Sequence, residues 1–331
     1  MKLGKVTETV IQRSVFKVLE ERRAEVLLPV NVSGDFAAIQ TENDEVVVLS
    51  TDPITGSDRE IGTYGVHAVI NDVAAGGARP VGVMVTVLMP AREREIAIKR
   101  IMEQIEAVCK TLNIQVLGGH TEVTDAVNRP IVSLTGVGMC KKNCKSLARQ
   151  LKPGDELVLT KYIGMEGTAI LAAEHMEELT SRYTEEFLLG GQKMIEHLSV
   201  VDEAEIAAKE NVSYMKALSE RGIYGALWAI AKGQDLGFEV DLASIPVRQE
   251  TIEICEFYDL NPYQLFSGGC LLIGTSNGGE LVSKLQEQGI PAAVIGRITD
   301  NNDKLIIREG EKFSLEPPKT DELFRKRSVS K

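Results

Sequence analysis

This sequence offers no disulfide framework, no standard nucleotide loop and no membrane span. Its five cysteines, Cys109, Cys140, Cys144, Cys255 and Cys270, are odd in number, and four lie in or beside apolar runs. That is the habit of reduced, structural thiols. Cys140 and Cys144 stand apart by three residues rather than two, and no second Cys or His pair completes a zinc set. Histidine is scarce, with only His67, His120, His175 and His197. Positive charge is also short: 37 Lys and Arg against 48 Asp and Glu leave a formal net charge of −11. Such a chain has no generic attraction for nucleic acid or anionic lipid. To handle an anion it needs metal ions or local backbone donors. The opening Met1-Lys2-Leu3-Gly4-Lys5 has no apolar signal core, and the best apolar stretch, Pro80 to Pro90, is far too short to cross a bilayer. A cytoplasmic protein is the expectation. No G-x-x-x-x-G-K-[ST] loop, G-x-G-x-x-G turn or G-x-S-x-G elbow occurs. Ser267-Gly268-Gly269 resembles an elbow only superficially and reads as a turn before an apolar strand.

What is present is a soluble globular composition, 44% hydrophobic and 26% charged, over 331 residues. The length calls for two domains. An opening helix is expected over 6–20, strands at 36–39 and 45–49, and a helix over 60–75, where Val66, Val69, Ile70 and Val73 repeat at i, i+3, i+4, i+7. Tyr64, His67 and Asn71 form a polar stripe on it. A strand at 81–88 follows, then a long amphipathic helix at 91–112 carrying Ile98, Ile101, Met102, Ile105, Val108, Cys109 and Leu112 on one side. Strands at 114–118 and 131–139 flank a polar loop that begins Gly118-Gly119-His120-Thr121-Glu122. The pattern β-β-α-β-α-β-β is an α+β layer. A boundary is placed near 141–154, giving domains 1–145 and 146–331. The second domain restarts with a strand at 156–160 and a glycine loop, Gly164 to Gly167, opening a helix. Helices fill much of 168–233, alternating strands and helices continue to about 308, and Phe324 to Ser328 reads as a solvated basic tail.

Acids sit where strands end. Asp35 precedes one strand, Asp52 closes the next, Asp72 interrupts an apolar helix and Glu122 lies in the polar loop. A carboxylate beside buried apolar surface loses hydration unless it is paired or binds a cation. Only oxygen ligands are offered, which suits Mg²⁺ and, through it, a polyphosphate. Each acid alone could serve as a turn residue or, for Asp72, pair with an arginine such as Arg79; the four together favour the metal–phosphate reading. His175 and His197 sit on charged helices and are expected in solvent. His67 faces either the site or the surface. His120 is the histidine expected to act, because the glycines before it let a ligand approach the backbone.

These stretches together resemble the aminoimidazole ribonucleotide (AIR) synthetase superfamily, over nearly the whole chain. The anchors are Gly34-Asp35-Phe36-Ala37-Ala38-Ile39, Ser50-Thr51-Asp52-Pro53 and, most specifically, Asn71-Asp72-Val73-Ala74-Ala75-Gly76-Gly77-Ala78-Arg79-Pro80. Gly222-Ile223-Tyr224-Gly225-Ala226-Leu227 and Ile245-Pro246-Val247-Arg248 look most like its hydrogenase-maturation carbamoyl dehydratase branch. The resemblance implies a PurM-like two-domain fold: an N-terminal α+β sheet domain whose sheets pair into a barrel in a homodimer, and a C-terminal α/β sandwich domain. It implies ATP held through Mg²⁺ on Asp35, Asp52 and Asp72, with Glu122 as a further metal ligand. Lys5, Asn71, Gly118, Gly119 and Thr121 become nucleotide contacts, and Gly164 and Gly167 an anion loop at a helix N-terminus. The implied chemistry transfers the γ-phosphoryl group of ATP to an amide-type or small phosphorylated substrate, with metal and positioning supplying most of the rate.

The chain departs from this pattern in three places. His120 stands where relatives carry Asp or Glu, and neutral imidazole does not replace a hard oxygen ligand for Mg²⁺; Glu122 takes over, or His120 meets phosphate or acts as a base. Ala217 stands where relatives often carry Asp. The end, Arg327-Ser328-Val329-Ser330-Lys331, lacks the dehydratase's reactive cysteine. Three functions remain open: an ATP-dependent enzyme with a small-molecule substrate, a non-catalytic nucleotide-binding or maturation-partner protein, and a metal-dependent hydrolase using His67 and His120.

Overall fold

The computed structural model describes residues 24–28, 36–41, 44–57, 59–144, 147, 150–210 and 212–329. The expected helix at 6–20, Lys5 and Asp35 lie outside the described residues. Those described divide into two compact units, with the chain passing from one to the other between Asn143 and Cys144.

The first unit is a six-stranded sheet in the order β1-β2-β3-β6-β4-β5. Its strands are β1 (Val26–Leu28), β2 (Ala37–Gln40), β3 (Glu45–Ile54), β4 (Arg79–Pro90), β5 (Gln115–Thr124) and β6 (Ile131–Lys141). Neighbours are antiparallel except β4 and β5. Two helices, α1 (Ile61–Ala75) and α2 (Glu95–Thr111), pack with it. β3 alternates as its sequence demands: Val46, Val48 and Ser50 are buried, and the odd positions between them face the other way. The period of α1 also holds, with Val66, Val69, Ile70 and Val73 fully buried. Each contributes about 1.5–3 kcal/mol of burial. α1 can lie directly on β6 because two inward positions there are glycines. A Cβ on Gly136 would stand 2.9 Å from the Val69 carbonyl oxygen, and one on Gly138 would stand 2.4 Å from Val73 Cγ1.

The polar stretch from Gly118 is strand, not loop. β5 runs through it to Thr124, among the described residues paired with β4 alone, and most of its residues are exposed. Backbone pairing with β4 satisfies the inward amides and the open edge leaves the others to water, so exposure of the polar side chains costs little. Gly119 is required by this contact, since a Cβ there would fall 1.8 Å from the Val85 carbonyl oxygen.

The second unit is a seven-stranded sheet in the order β13-β12-β9-β11-β7-β10-β8. Its strands are β7 (Glu156–Thr160), β8 (Tyr214–Ala217), β9 (Gly237–Asp241), β10 (Leu271–Thr275), β11 (Ala292–Thr299), β12 (Lys304–Arg308) and β13 (Glu311–Ser314). The helices of at least eight residues are α3 (Met165–Glu174), α4 (Glu185–Gln192), α5 (Val201–Lys209), α6 (Gly222–Gln234), α7 (Gln249–Phe257), α8 (Gly278–Glu287) and α9 (Glu322–Val329). β7 is buried on both faces. Leu157 and Leu159 join the main core with Leu227 and Ile230 of α6, while α8 packs against β7 and β11. Together the two units make the two-domain mixed α/β architecture that the resemblance implied.

The expected solvated tail is a docked helix. Leu323 and Phe324 of α9 are buried, and Phe324 meets Phe266 edge-on at 5.7 Å. Asp321, fully buried, caps it: Oδ1 accepts from the Leu323 amide at 2.8 Å and Oδ2 from the Arg221 amide at 2.5 Å. Burial holds the Asp321 carboxyl well above the usual range, against the pull of these two amide bonds. A group whose pKa is raised on folding binds its proton more tightly in the folded chain. The stability that proton supplies is complete below the ordinary carboxylate range and falls as pH rises toward the folded value. Chemical denaturation across a pH series should therefore show the wild-type chain losing stability relative to Asp321→Asn from about pH 4 upward. Parallel pH profiles for the two proteins would refute this account of Asp321.

Candidate functional site

α1 carries Asp72 between buried Asn71 and buried Val73, and its packing brings that carboxylate to β3. Ser50 Oγ donates to Asp72 Oδ2 at 2.9 Å, with Ser50 only 3% exposed. Asp52 follows two residues along the same face of β3 and is half-buried. Two carboxylates and a hydroxyl from distant parts of the chain thus share one face of the sheet. This donor set is all hard oxygen and fits Mg²⁺ better than a transition metal. Among the described residues no three His, Cys, Asp or Glu side chains stand close enough together to hold an ion. Of the polar stripe on α1, Tyr64 and Asn71 are buried and His67 is half-buried.

Successive side chains of β5 point to opposite faces of the sheet, and the register with β4 separates the remaining candidates. β4 buries Val85, Val87 and Met89, whose register partners are Gly119, Thr121 and Val123. His120 and Glu122 pair with Thr86 and Leu88 and so occupy the reverse face of the sheet. Asp52 pairs with buried Leu134, so it faces with Val85 rather than with His120. β5 also lies three strand spacings from β3, roughly 14 Å. The expectation that Glu122 joins Asp52 and Asp72 around one ion is thereby corrected within a single chain. Instead His120 Nε2 and Glu122 Oε2 approach to 3.3 Å as an exposed pair, an arrangement that adds little stability. On this edge strand Gly119 and Thr121 share the face of Asp52 but stand three strands away, and Gly118 lies with His120 on the reverse face.

The glycine loop of the second unit is not open to an anion as the resemblance implied. Gly164 has a left-handed backbone, φ 71°, and opens α3. Its amide donates to Ser267 Oγ at 2.8 Å, and the Gly167 amide donates to the Phe266 carbonyl at 3.0 Å. A Cβ on Gly167 would sit 2.4 Å from Leu265 Cγ. Close packing of two loops accounts for both glycines. Ser267 itself is fully buried and donates to the Leu265 carbonyl, so it is the turn expected and no nucleophile. Ala217 is buried in β8 and supplies no donor.

A cleft of about 660 Å³ also opens in this unit, bordered by Lys161, Tyr162, Met194, Glu203 and Arg248. Lys161 directly follows β7 with φ 53°, and its ammonium reaches Glu203 at 2.5 Å and the carbonyls of His197 and Ser199. Arg248 lies over the Tyr162 ring at 5.2 Å. Of the two histidines expected in solvent, His197 is exposed at the rim, while His175 packs edge-on against Tyr258 at 5.8 Å. None of these pairings has a local signal, because Lys161 and Glu203 come from separate elements. Their side chains are 12% and 4% exposed, so Glu203→Gln should leave the ammonium uncompensated and cost about 3–5 kcal/mol in urea unfolding. Replacing both by Met and Leu should restore most of that loss; a double variant no more stable than Glu203→Gln would contradict this.

Comparison with known proteins agrees with this architecture. Residues 33–140 match the family described as AIR synthase related protein, N-terminal domain, and residues 152–308 match its C-terminal domain. Carbamoyl dehydratase HypE of Rhodobacter capsulatus is 25% identical over 251 residues, covering 74% of this chain and 72% of that protein. The crystal structure of hydrogenase maturation protein HypE in complex with ATP superposes with TM-score 0.71 at 18% identity, covering 97% of each chain. That of the Aquifex aeolicus enzyme ThiL complexed with AMPPCP and TMP gives 0.72 at 19%, covering 95% of this chain and 96% of the other. At such identities the structural likeness establishes the fold alone. Both halves of the sequence match the same pair of domains, in order and over most of the length, and the chain belongs to the AIR synthase related family.

Proposed function

We propose that this chain is an ATP-using enzyme that transfers the γ-phosphoryl group to activate an amide-type or small phosphorylated substrate. The observation that carries the reading is the Ser50–Asp72 hydrogen bond with Asp52 beside it on the same sheet face. These residues form an all-oxygen set of the kind that hard divalent cations prefer. The ATP complex of a protein with this fold supports a nucleotide as the accompanying anion. Asp52 and Asp72, with Asp35, would hold Mg²⁺. Bound there, the ion would neutralise phosphate charge during transfer. Ser50 orients Asp72 through its hydroxyl, and Asn71, buried next to Asp72, fixes that turn of α1. Lys5, Gly118, Gly119 and Thr121 are proposed as nucleotide contacts offered to the acids of a second copy, since within one chain β5 lies three strand spacings, roughly 14 Å, from β3.

A second reading, nucleotide binding without turnover, is favoured by Ala217 and by the exposed His120–Glu122 pair, which lies away from Asp52. Turnover decides between them. In the first reading, ADP forms steadily when one metabolite is supplied; in the second, none forms with any acceptor.

We also propose that two copies join through the reverse face of the first sheet. Met84 is 44% exposed there and Ile39 36% exposed, large apolar side chains that a monomer would leave in water. Light scattering should give the mass of two chains, and Met84→Glu should reduce it to one. A wild-type monomer at micromolar concentration would remove the proposal.

The nucleotide site is tested by ligand-linked stability. ATP with Mg²⁺ at a hundred times its dissociation constant should stabilise the wild-type chain by about 2.7 kcal/mol. Asp52→Asn and Asp72→Asn should abolish that gain while the unliganded melting temperature stays equal or rises, since a desolvated charge is lost. An undiminished gain in both variants would reject the assignment of these acids.

A further inference from the structure

A smaller cavity in the second unit, about 340 Å³, is unrelated to the acids of the first. Tyr224 of α6, Gln264, Arg308 at the end of β12, Phe313 of β13 and Pro317-Pro318 border it. Its aromatic wall is preformed, because Tyr224 stacks on Tyr263 with ring centroids 5.4 Å apart and planes 13° from parallel. Phe313 stands 49% exposed on an edge strand, an unusual place for a ring unless something covers it.

The polar groups of the cavity are donors awaiting an acceptor. Among the described residues Arg308 makes no ion pair, and neither its guanidinium nor the Tyr224 hydroxyl nor the Gln264 side-chain amide is hydrogen-bonded within the chain. Burial, with Tyr263 adding to it, pushes the Tyr224 phenol up to about 12 while Arg308 pulls the other way, so the phenol keeps its proton near neutrality. The other charges at the rim, Glu316 and Lys319, pair with each other at 3.4 Å. The lining therefore carries one uncompensated positive charge in a chain of net −11.

We infer that this cavity binds a small aromatic carboxylate, its carboxylate on the Arg308 fork and the Tyr224 hydroxyl and its ring against Phe313. A guanidinium matches a carboxylate through two parallel hydrogen bonds. Flat proline and aromatic walls suit a ring, and the volume lies at the small end of ligand pockets. The site is independent of the nucleotide reading and needs neither ATP nor metal.

Benzoate is the probe, followed by calorimetry and by emission of Trp228, the sole tryptophan, one helical turn from Tyr224. Benzoate should bind, and neutral benzamide and inorganic phosphate should bind at least about tenfold more weakly, a gap set by one charge-assisted contact or one ring. Arg308→Gln should weaken benzoate by about tenfold or more, Phe313→Ala by several-fold, and Asp52→Asn not at all. Both cavity positions are surface-exposed, so unchanged melting temperatures should accompany these losses. No benzoate binding up to about 10 mM, benzamide or phosphate binding as tightly, or full affinity in Arg308→Gln would overturn the inference.

Discussion

Everything proposed for the first unit depends on one contact, the seating of α1 on β3 and β6. Gly136 and Gly138 let the helix approach until its backbone nearly touches the strand. Only at that distance does Asp72 meet Ser50. A neutral hydroxyl bonded to a carboxylate recovers about 1.5–3 kcal/mol, while removing a carboxylate from water costs several. Helix packing thus holds the half-buried Asp72 against the sheet, in an otherwise apolar stretch of α1. In the proposed reading a cation joins Asp72 there, together with Asp52, two residues from Ser50 on the same face. Structures tolerate such local conflicts mainly where a ligand resolves them.

The parts of the fold that were legible in the sequence are those where one face is buried and the other wet. α1 and α2 announce themselves through period, and β3 through alternation of Val46 and Val48 with their neighbours. β5 did not, because an edge strand with both faces open has no reason to alternate. Its glycine at 119 looked like loop punctuation, yet it answers to the Val85 carbonyl. α9 was hidden for a related reason: its apolar anchors among the described residues are the adjacent pair Leu323 and Phe324, which give no helical repeat, while Lys326 docks through its charge over the Tyr258 ring at 4.2 Å. Asp321 was unreadable because its partner, the Arg221 amide, is a hundred residues away.

The candidate site shows the same division. Asp52 and Asp72 could be named from motif and from the cost of an acid in an apolar context, and the fold puts both on one face. Glu122 shared the motif but not the face, a fact that follows from register alone. Gly164 and Gly167 illustrate the converse error. Glycines before a helix fit an anion loop in sequence, whereas here Leu265 occupies the space a side chain would need and Ser267 and Phe266 take the amides. A glycine signals closeness without saying to what.

The chain's acidity makes its two treatments of negative charge intelligible together. With 48 acids against 37 bases, the average surface repels an anion. In the proposed function a polyphosphate would be admitted where carboxylates recruit divalent cations, which would turn the repulsion itself into a binding determinant. A small monoanion carries too little charge to bring a metal with it. It needs a fixed cation left without an internal partner, and Arg308 beside the Tyr224–Tyr263 stack is such a cation. Lys161 differs for the same reason: Glu203 and two carbonyls already spend its charge inside the fold. What distinguishes a ligand-binding cation from a structural one in this protein is therefore whether folding has left its donors unused.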